Sequence, residues 1–182
     1  GENIVVMSAA GDVLYPSATA ASPNRMARIF SSDNGANWSI EEMTTKMYST
    51  ETSLIPNGVA AFFGSGKLVV DANFNNTNSA RIYGALLVRT YINSAYNNYN
   101  NYVVYSDDLG ETWAILGGSQ TPVASGDEPK VEILPSGQIL LSARRSGGRI
   151  FNVFTYGTGE NDKANGAGTW GTAVNGCNNG GS

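Results

Sequence analysis

The chain has 182 residues, 41% of them hydrophobic, which is enough for one sizeable core because single domains commonly run to about 100–200 residues. Its formal net charge is −4 with only 14% charged residues, and the scattered basic side chains give no electrostatic footprint for nucleic acid. No apolar run is long enough to cross a bilayer, and the absence of histidine leaves catalysis to carboxylates, tyrosine or arginine.

Short strand-forming runs separated by Gly, Asn, Asp and Pro follow one another along the chain, so the sequence predicts an all-β fold. The predicted strands are 4–8, 12–18, 25–32, 67–74, 81–88, 101–106, 130–134, 138–143 and 149–156. The helical candidate is EEMTTKMY (41–48). TYINSAYNNYNNY (90–102) has side chains suited to sugars, but we interpret it as a polar, mobile connection between strands.

Two segments repeat one pattern, Ser-x-Asp-x-Gly-x-(Asn or Thr)-Trp, after an aromatic residue. The repeated residues are Ser31, Asp33, Gly35 and Trp38 in the first copy, and Ser106, Asp108, Gly110 and Trp113 in the second. A degenerate third copy is indicated at 155–170. We interpret the unit as a turn between antiparallel strands, in which Asp accepts backbone N–H bonds, Gly takes a positive φ and Trp closes onto the next sheet. Neither copy has the ligand pattern of a calcium loop.

Two acidic residues and two arginines bracket a predicted hairpin, GDEPKVEILPSGQILLSARR (126–145). A three-residue loop ending at a left-handed Gly137 places Glu128 opposite Arg144, whereas a two-residue loop places it opposite Arg145. Either register brings a carboxylate and a guanidinium to the mouth of the hairpin, with paired Cα atoms about 4.5–5.5 Å apart. By itself, this pattern favours an ordinary cross-strand ion pair worth about 0.2–1 kcal/mol.

The two repeats resemble Asp-boxes (BNR repeats). The segments around them follow one another in the order WSIEEMTTKMY, FFGSGKLVV, RIYGALLVRTY and GGRIFNVFTY. With the two repeats in this order, nearly the entire chain resembles bacterial exo-sialidases of the Bacteroidetes type. The resemblance implies a six-bladed β-propeller with four antiparallel strands per blade. Because a blade takes about 40–60 residues, residues 1–182 are expected to form one partial propeller domain of about three blades.

The resemblance also implies roles for residues of the hairpin. Glu128, followed by Pro129, matches the base that activates a tyrosine nucleophile, and Arg144 matches one of three arginines that bind the sialic acid carboxylate. Asp127 is expected to point to the opposite face and to be structural, and Arg89 has no assigned role. No tyrosine of the chain matches the nucleophile, and neither a metal nor a cofactor is implied.

The chain is therefore interpreted as a fragment of a retaining exo-α-sialidase that removes terminal sialic acid from glycoconjugates. The fragment is expected to be inactive alone, because the remaining catalytic residues have no match in it. Its partners are sialylated glycans, its exposed blade faces favour self-association, and the full-length protein is expected to be secreted, periplasmic or on the cell surface. The alternative is a non-catalytic Asp-box propeller that binds carbohydrate or protein; the placement of Glu128 and Arg144 favours the enzyme.

Overall fold

The computed structural model describes residues 2–48, 53–64, 66–74, 79–118, 120–123 and 125–176, and within them the all-β prediction is confirmed. The strands are β1 (Ile4–Ala10), β2 (Arg25–Ser31), β3 (Ser39–Glu42), β4 (Gly58–Phe63), β5 (Val69–Phe74), β6 (Ser79–Ile92), β7 (Ala95–Ser106), β8 (Ala114–Ile115), β9 (Asp127–Ile133), β10 (Ile139–Arg145), β11 (Gly148–Tyr156), β12 (Gly168–Trp170) and β13 (Val174–Asn175). One α-helix, α1 (Thr44–Met47), and a 3-10 turn (Tyr15–Ser17) complete the described elements. In this part of the chain no helix is long and apolar enough to span a membrane.

The strands form three antiparallel sheets. The first has the order β1-β2-β3, the second β4-β6-β7-β8 and the third β12-β11-β10-β9. In the second sheet, β4 pairs with residues 86–90 of β6 and β5 with residues 79–83, so β4 and β5 share one row. Likewise, β12 and β13 share one row against β11. The second and third sheets therefore each have four rows of strands, consistent with a piece of a sialidase β-propeller.

The predicted strands correspond to observed ones except at 12–18, where the prediction is wrong. Pro16 lies in the first turn of a 3-10 element there, because its fixed φ and missing N–H suit a helical start better than a ladder. Four of the strands that the sequence does not predict, β3, β8, β12 and β13, have two to four residues, too few for a period of two to show. The fifth, β4, reads GVAAFF, and Gly and Ala are depleted in strands.

The interpretation of residues 90–102 as a connection between strands is also wrong. These residues form the outer end of a long hairpin, in which β6 and β7 pair as far as Ile92 and Ala95. Asn93 and Ser94 close the hairpin with φ values of 52° and 62°. A two-residue turn with both φ values positive matches the twist of the flanking strands, and asparagine tolerates the left-handed conformation.

The first repeat folds as a turn between β2 and β3. The Ser31 hydroxyl accepts the N–H of Gly35 at 2.9 Å and donates to Asp33 Oδ1 at 2.8 Å. Asp33 also accepts the backbone N–H of Asn37 at 2.8 Å, and Trp38 Nε1 donates to the Gly35 carbonyl at 2.9 Å. Gly35 has a φ of 86°, which an L-residue rarely adopts. Trp38 itself stays half exposed, so it does not close onto the next sheet.

The second repeat has the same hydrogen bonds between β7 and β8. Ser106 bonds Gly110 and Asp108, both at 2.8 Å, and Asp108 accepts the N–H of Thr112 at 2.9 Å. Trp113 donates to the Gly110 carbonyl at 3.1 Å and packs in the core cluster shared by the first and second sheets. The segment at 155–170 lacks these bonds; its Trp170 donates instead to the Leu116 carbonyl at 3.2 Å and so fastens the third sheet to the second.

These turns predict an acid-labile fold. Hydrogen bonds from Asn37 lower the pKa of Asp33; burial raises the pKa of Asp108, but hydrogen bonds from Thr112 outweigh it and the net pKa is lowered. A carboxyl with a depressed folded-state pKa contributes stability above its unfolded pKa of about 3.9, and that contribution is lost as pH falls through the folded value. In urea melts from about pH 5 to pH 2, we expect the free energy of unfolding to fall less for Asp108→Asn than for the control Asp12→Asn. An equal fall in the free energy of unfolding for the two variants would contradict this.

A fully buried guanidinium joins the second and third sheets. Arg81 bonds both carboxylate oxygens of Asp107 at 2.7 Å and donates to the carbonyls of residues 163–164 at 2.9 and 2.6 Å. Its guanidinium carbon lies 3.8 Å from the ring centroid of Phe74 and 3.9 Å from that of Tyr105. The charge is thus desolvated but paired, hydrogen-bonded and stacked, which is the arrangement that makes burial of a charge tolerable.

Each sheet also contributes strands to one common cavity. Residues of β1, of the β4 and β5 row and of β9 line a space of about 660 Å³ whose walls are mostly apolar. The apolar lining residues include Val5, Met7, Phe63, Leu68, Ile82 and Val131. Each of the three sheets therefore has an edge that lines this cavity.

Candidate functional site

The hairpin of β9 and β10 has the three-residue loop. Leu134 N–H donates to the Gln138 carbonyl at 2.9 Å, and Gly137 has a φ of 80°. From Ile139–Ile133 to Ser142–Lys130 the cross-strand pairs follow the register that this loop predicts. That part of the prediction is confirmed, and the two-residue alternative is wrong.

At the mouth of the hairpin the register shifts by one residue, so Arg144 pairs with Asp127 rather than with Glu128. Pro129 has no N–H to donate to the ladder, and Glu128 takes a φ of 43°, with its N–H bonded to Asp127 Oδ1 at 2.8 Å. The strand therefore bulges at Glu128. A positive φ at a non-glycine residue costs about 1–3 kcal/mol, so surrounding contacts must hold Glu128 in this conformation.

The bulge lets one arginine contact both carboxylates. Arg144 Nη2 donates to Asp127 Oδ2 at 2.7 Å, and its Nε lies 3.0 Å from Glu128 Oε2. The expectation that Asp127 points away from this cluster is wrong, because the bulge reverses the face on which it lies. Among the described residues none accepts a hydrogen bond from Nη1 of Arg144, whose side chain is 52% exposed. The guanidinium therefore keeps donors for a ligand.

A second arginine, which the sequence analysis missed, holds the bulge in place. Arg149, in β11, donates to the hydroxyl of Ser142 at 2.6 Å, to the Ser142 carbonyl at 3.0 Å and to the Glu128 carbonyl at 3.2 Å. Arg149 therefore connects Glu128, which has the positive φ, to Ser142, the last residue of β10 before the register shift. Sequence spacing gave no sign of this role, because it depends on the shifted register.

The bulge is also supported from the second sheet. Gly64 lies so close to Pro129 that a Cβ atom on residue 64 would be 1.7 Å from the Pro129 carbonyl oxygen. Gly64 N–H is bonded to the Ala85 carbonyl at 2.7 Å, so its backbone is anchored to β6. Glycine is required there for close approach.

Beside the carboxylates lies a cavity of about 530 Å³. It is lined by Asp127, Glu128, Tyr15, Pro16, Phe62, Leu87, Arg89, Asn98 and Tyr99. Arg89 donates to the carbonyls of Tyr15 and Pro16. Its Nε and the Asn98 Oδ1 atom are buried without a hydrogen-bond partner among the described residues. The cavity thus combines apolar walls with the polar side chains of Arg89, Asn98, Asp127 and Glu128, as ligand pockets do.

Tyr15, one of the two tyrosines that line this cavity, is not an activated nucleophile. Tyr15 donates its hydroxyl to the Asn98 carbonyl at 2.6 Å. Burial, followed by the nearby Asp127 carboxylate, raises the pKa of Tyr15 well above its usual value, although Arg89 opposes this. A hydroxyl held in its protonated form does not attack. The structure therefore gives no reason to assign Tyr15 as the nucleophile.

No protein family model and no curated protein matches the chain. Its fold is similar to that of the leech intramolecular trans-sialidase in complex with 2,7-anhydro-Neu5Ac, which was prepared by soaking with 3′-sialyllactose. The TM-score is 0.54 and the sequence identity is 20%, and the match covers 85% of this chain and 19% of that chain. It is also similar to the intramolecular trans-sialidase of Ruminococcus gnavus in complex with oseltamivir carboxylate, with a TM-score of 0.53 and 19% identity, over 85% of this chain and 27% of that chain. The chain therefore has a sialidase-like fold and spans less than a third of the length of these proteins.

Proposed function

We propose that this chain is part of the propeller of a retaining exo-α-sialidase and binds the carboxylate of a terminal sialic acid. The observation that carries the proposal is the mouth of the β9–β10 hairpin, where Arg144 contacts Glu128 and Asp127 and no described residue bonds its Nη1. Arg89 lines the adjoining cavity and Arg149 bonds the Glu128 carbonyl, so this part of the chain has three guanidinium groups and two carboxylates. This excess of positive charge favours an anionic ligand.

Arginine suits such a ligand for a geometric reason. Its planar fork binds a carboxylate through two parallel hydrogen bonds and stays charged at any working pH. Arg144 is already oriented by Asp127 and Glu128, so less side-chain entropy is lost when a ligand binds. These exposed ion pairs add little to folding stability, which supports a role in positioning.

Glu128 takes the role of the base in this proposal. The anomeric carbon of sialic acid already bears a carboxylate, so a carboxylate nucleophile would be repelled, and a tyrosine activated by a glutamate avoids this. The bulge and Arg149 fix the Glu128 backbone, while its side chain remains 46% exposed and accessible to a tyrosine. That tyrosine, the acid/base residue and the other arginines come from blades not represented in the chain, which is therefore inactive alone.

The full-length protein, in this proposal, acts outside the cytoplasm on sialylated glycans. In the same proposal, the remaining blades complete the mostly apolar cavity of about 660 Å³. Val6 and Val70, which are 42% and 53% exposed, lie at this face. An uncovered apolar face of this kind favours self-association of the chain alone.

Substitution of Arg144 tests the proposal. We expect Arg144→Gln to weaken binding of free N-acetylneuraminic acid by more than about tenfold, because a hydrogen bond to a charged group contributes about 1.5–3 kcal/mol. The matched control is Arg145→Gln, which removes the same charge from the neighbouring residue, whose guanidinium bonds Asn175 instead. Binding is measured by NMR titration of the chain. Equal affinity for the two variants would contradict the proposed role of Arg144.

A further inference from the structure

The β6–β7 hairpin extends beyond the sheet that carries it. β4 pairs with β6 only as far as Thr90, and β8 pairs with β7 only at Val104 and Tyr105. The two strands nevertheless remain paired to Ile92 and Ala95. We call residues 90–102 the hairpin tip. A projecting two-stranded ribbon is marginally stable by itself, so its side chains must contribute to its order.

The hairpin tip is uncharged and rich in exposed rings. Its thirteen residues include no Asp, Glu, Lys or Arg, although natural proteins usually protect projecting strands with charge. Tyr91, Ile92, Tyr96 and Tyr99 are each between 38% and 49% exposed. The rings of Tyr91 and Tyr96 lie 4.6 Å apart, and the Arg89 guanidinium lies 4.2 Å from the Tyr96 ring. The rings of Tyr91 and Tyr96 are therefore held in place while part of their surface stays open.

Polar side chains of the hairpin tip are ordered in the same way. Asn100 Nδ2 donates to the Thr90 hydroxyl at 2.9 Å, and Asn97 Nδ2 donates to Asn100 Oδ1 at 3.0 Å. They line a groove of about 340 Å³ together with Ile92, Tyr96 and Tyr102. Each amide nitrogen keeps a second N–H, so the groove presents fixed, uncharged donors beside apolar surface.

The hairpin tip is continuous with the candidate site. Asn98 and Tyr99 belong to it and also line the cavity beside Glu128. The Asn98 carbonyl accepts the hydroxyl of Tyr15, another lining residue of that cavity, at 2.6 Å. A ligand bound at Glu128 therefore has Asn98 and Tyr99 of the hairpin tip beside it.

We propose that the hairpin tip binds neutral sugar residues, namely the part of a glycan that follows the sialic acid bound at Glu128 and Arg144. Sugars present apolar C–H faces that stack on tyrosine rings, and hydroxyls that pair with amides and with threonine. A nucleic acid or an acidic peptide needs cationic partners, which the hairpin tip lacks. The connection to sialic acid depends on the function proposed above; binding of the neutral sugar does not.

The probes are lactose and free N-acetylneuraminic acid, each titrated into the chain and followed by NMR. We expect lactose to shift the resonances of Tyr96 and Tyr99, and Tyr96→Ala to bind lactose about three- to tenfold more weakly, as expected for loss of one ring contact. Tyr96→Phe keeps the ring and is expected to bind as the parent chain does. Tyr96 belongs to neither core cluster, so its removal leaves the core intact. Tyr99→Ala provides a second, independent variant.

The outcomes separate the two proposals. If lactose causes no shifts, or if both alanine variants bind it as tightly as the parent chain, the hairpin tip is not a sugar-binding surface, whatever N-acetylneuraminic acid does. If lactose binds and N-acetylneuraminic acid does not, the inference stands and the sialidase proposal fails. That result would favour the non-catalytic carbohydrate-binding propeller.

Discussion

Replacing Gly64 with alanine is expected to weaken the binding of N-acetylneuraminic acid and to destabilise the fold, although Gly64 lies outside the site cavity. The new Cβ atom would lie 1.7 Å from the Pro129 carbonyl oxygen, a contact that only a backbone shift can relieve. Residue 64 is anchored to Ala85, so we expect Pro129 to move and to take Glu128 with it. Overpacking of this kind costs about 1–3 kcal/mol.

Gly171→Ala is the matched control. The nearest atoms to a Cβ at residue 171 are 3.4 and 3.5 Å away, which is ordinary or slightly tight contact. We expect this variant to unfold in urea as the parent chain does and to bind the ligand equally well. If Gly64→Ala retains both the parent stability and the parent affinity, the second sheet does not position the bulge.

Replacing Arg81 with alanine is expected to lower the free energy of unfolding by about 3–5 kcal/mol, the range for removing one partner of a buried ion pair. The substitution leaves the carbonyls of residues 163–164 without their donors and opens a space between the rings of Phe74 and Tyr105. Asp107 is 52% exposed and can be solvated, which places the expected loss at the lower end of that range. Urea denaturation measures the effect.

Arg25→Ala is the control for Arg81. Arg25 also pairs with a carboxylate, that of Glu42, but its side chain is 60% exposed. An exposed pair contributes about 0–1 kcal/mol, so this variant is expected to unfold close to the parent chain. If both variants lose the same free energy of unfolding, the buried, stacked environment of Arg81 adds nothing to the stability of the fold.

The β9–β10 hairpin of the candidate site is determined only in part by residues close together in the sequence. Turn chemistry limits the loop to two or three residues, and the structure selects the three-residue loop 135–137, in which Gly137 is the left-handed residue. The mouth of the same hairpin does not follow from it. There the register depends on Pro129 and Arg149, and the face on which Asp127 lies changes with a shift of one residue.

The sequence alone determined the all-β class, most strands and the two turn repeats, because each of these depends on residues close together in the chain. Period-two alternation and the Ser-x-Asp-x-Gly pattern are local signals, and local hydrogen bonds satisfy them. The tertiary structure decided that residues 90–102 form a projecting hairpin, that Arg81 joins two sheets and that Arg144 reaches both carboxylates. These features depend on contacts between distant residues, whose geometry no spacing in the sequence specifies.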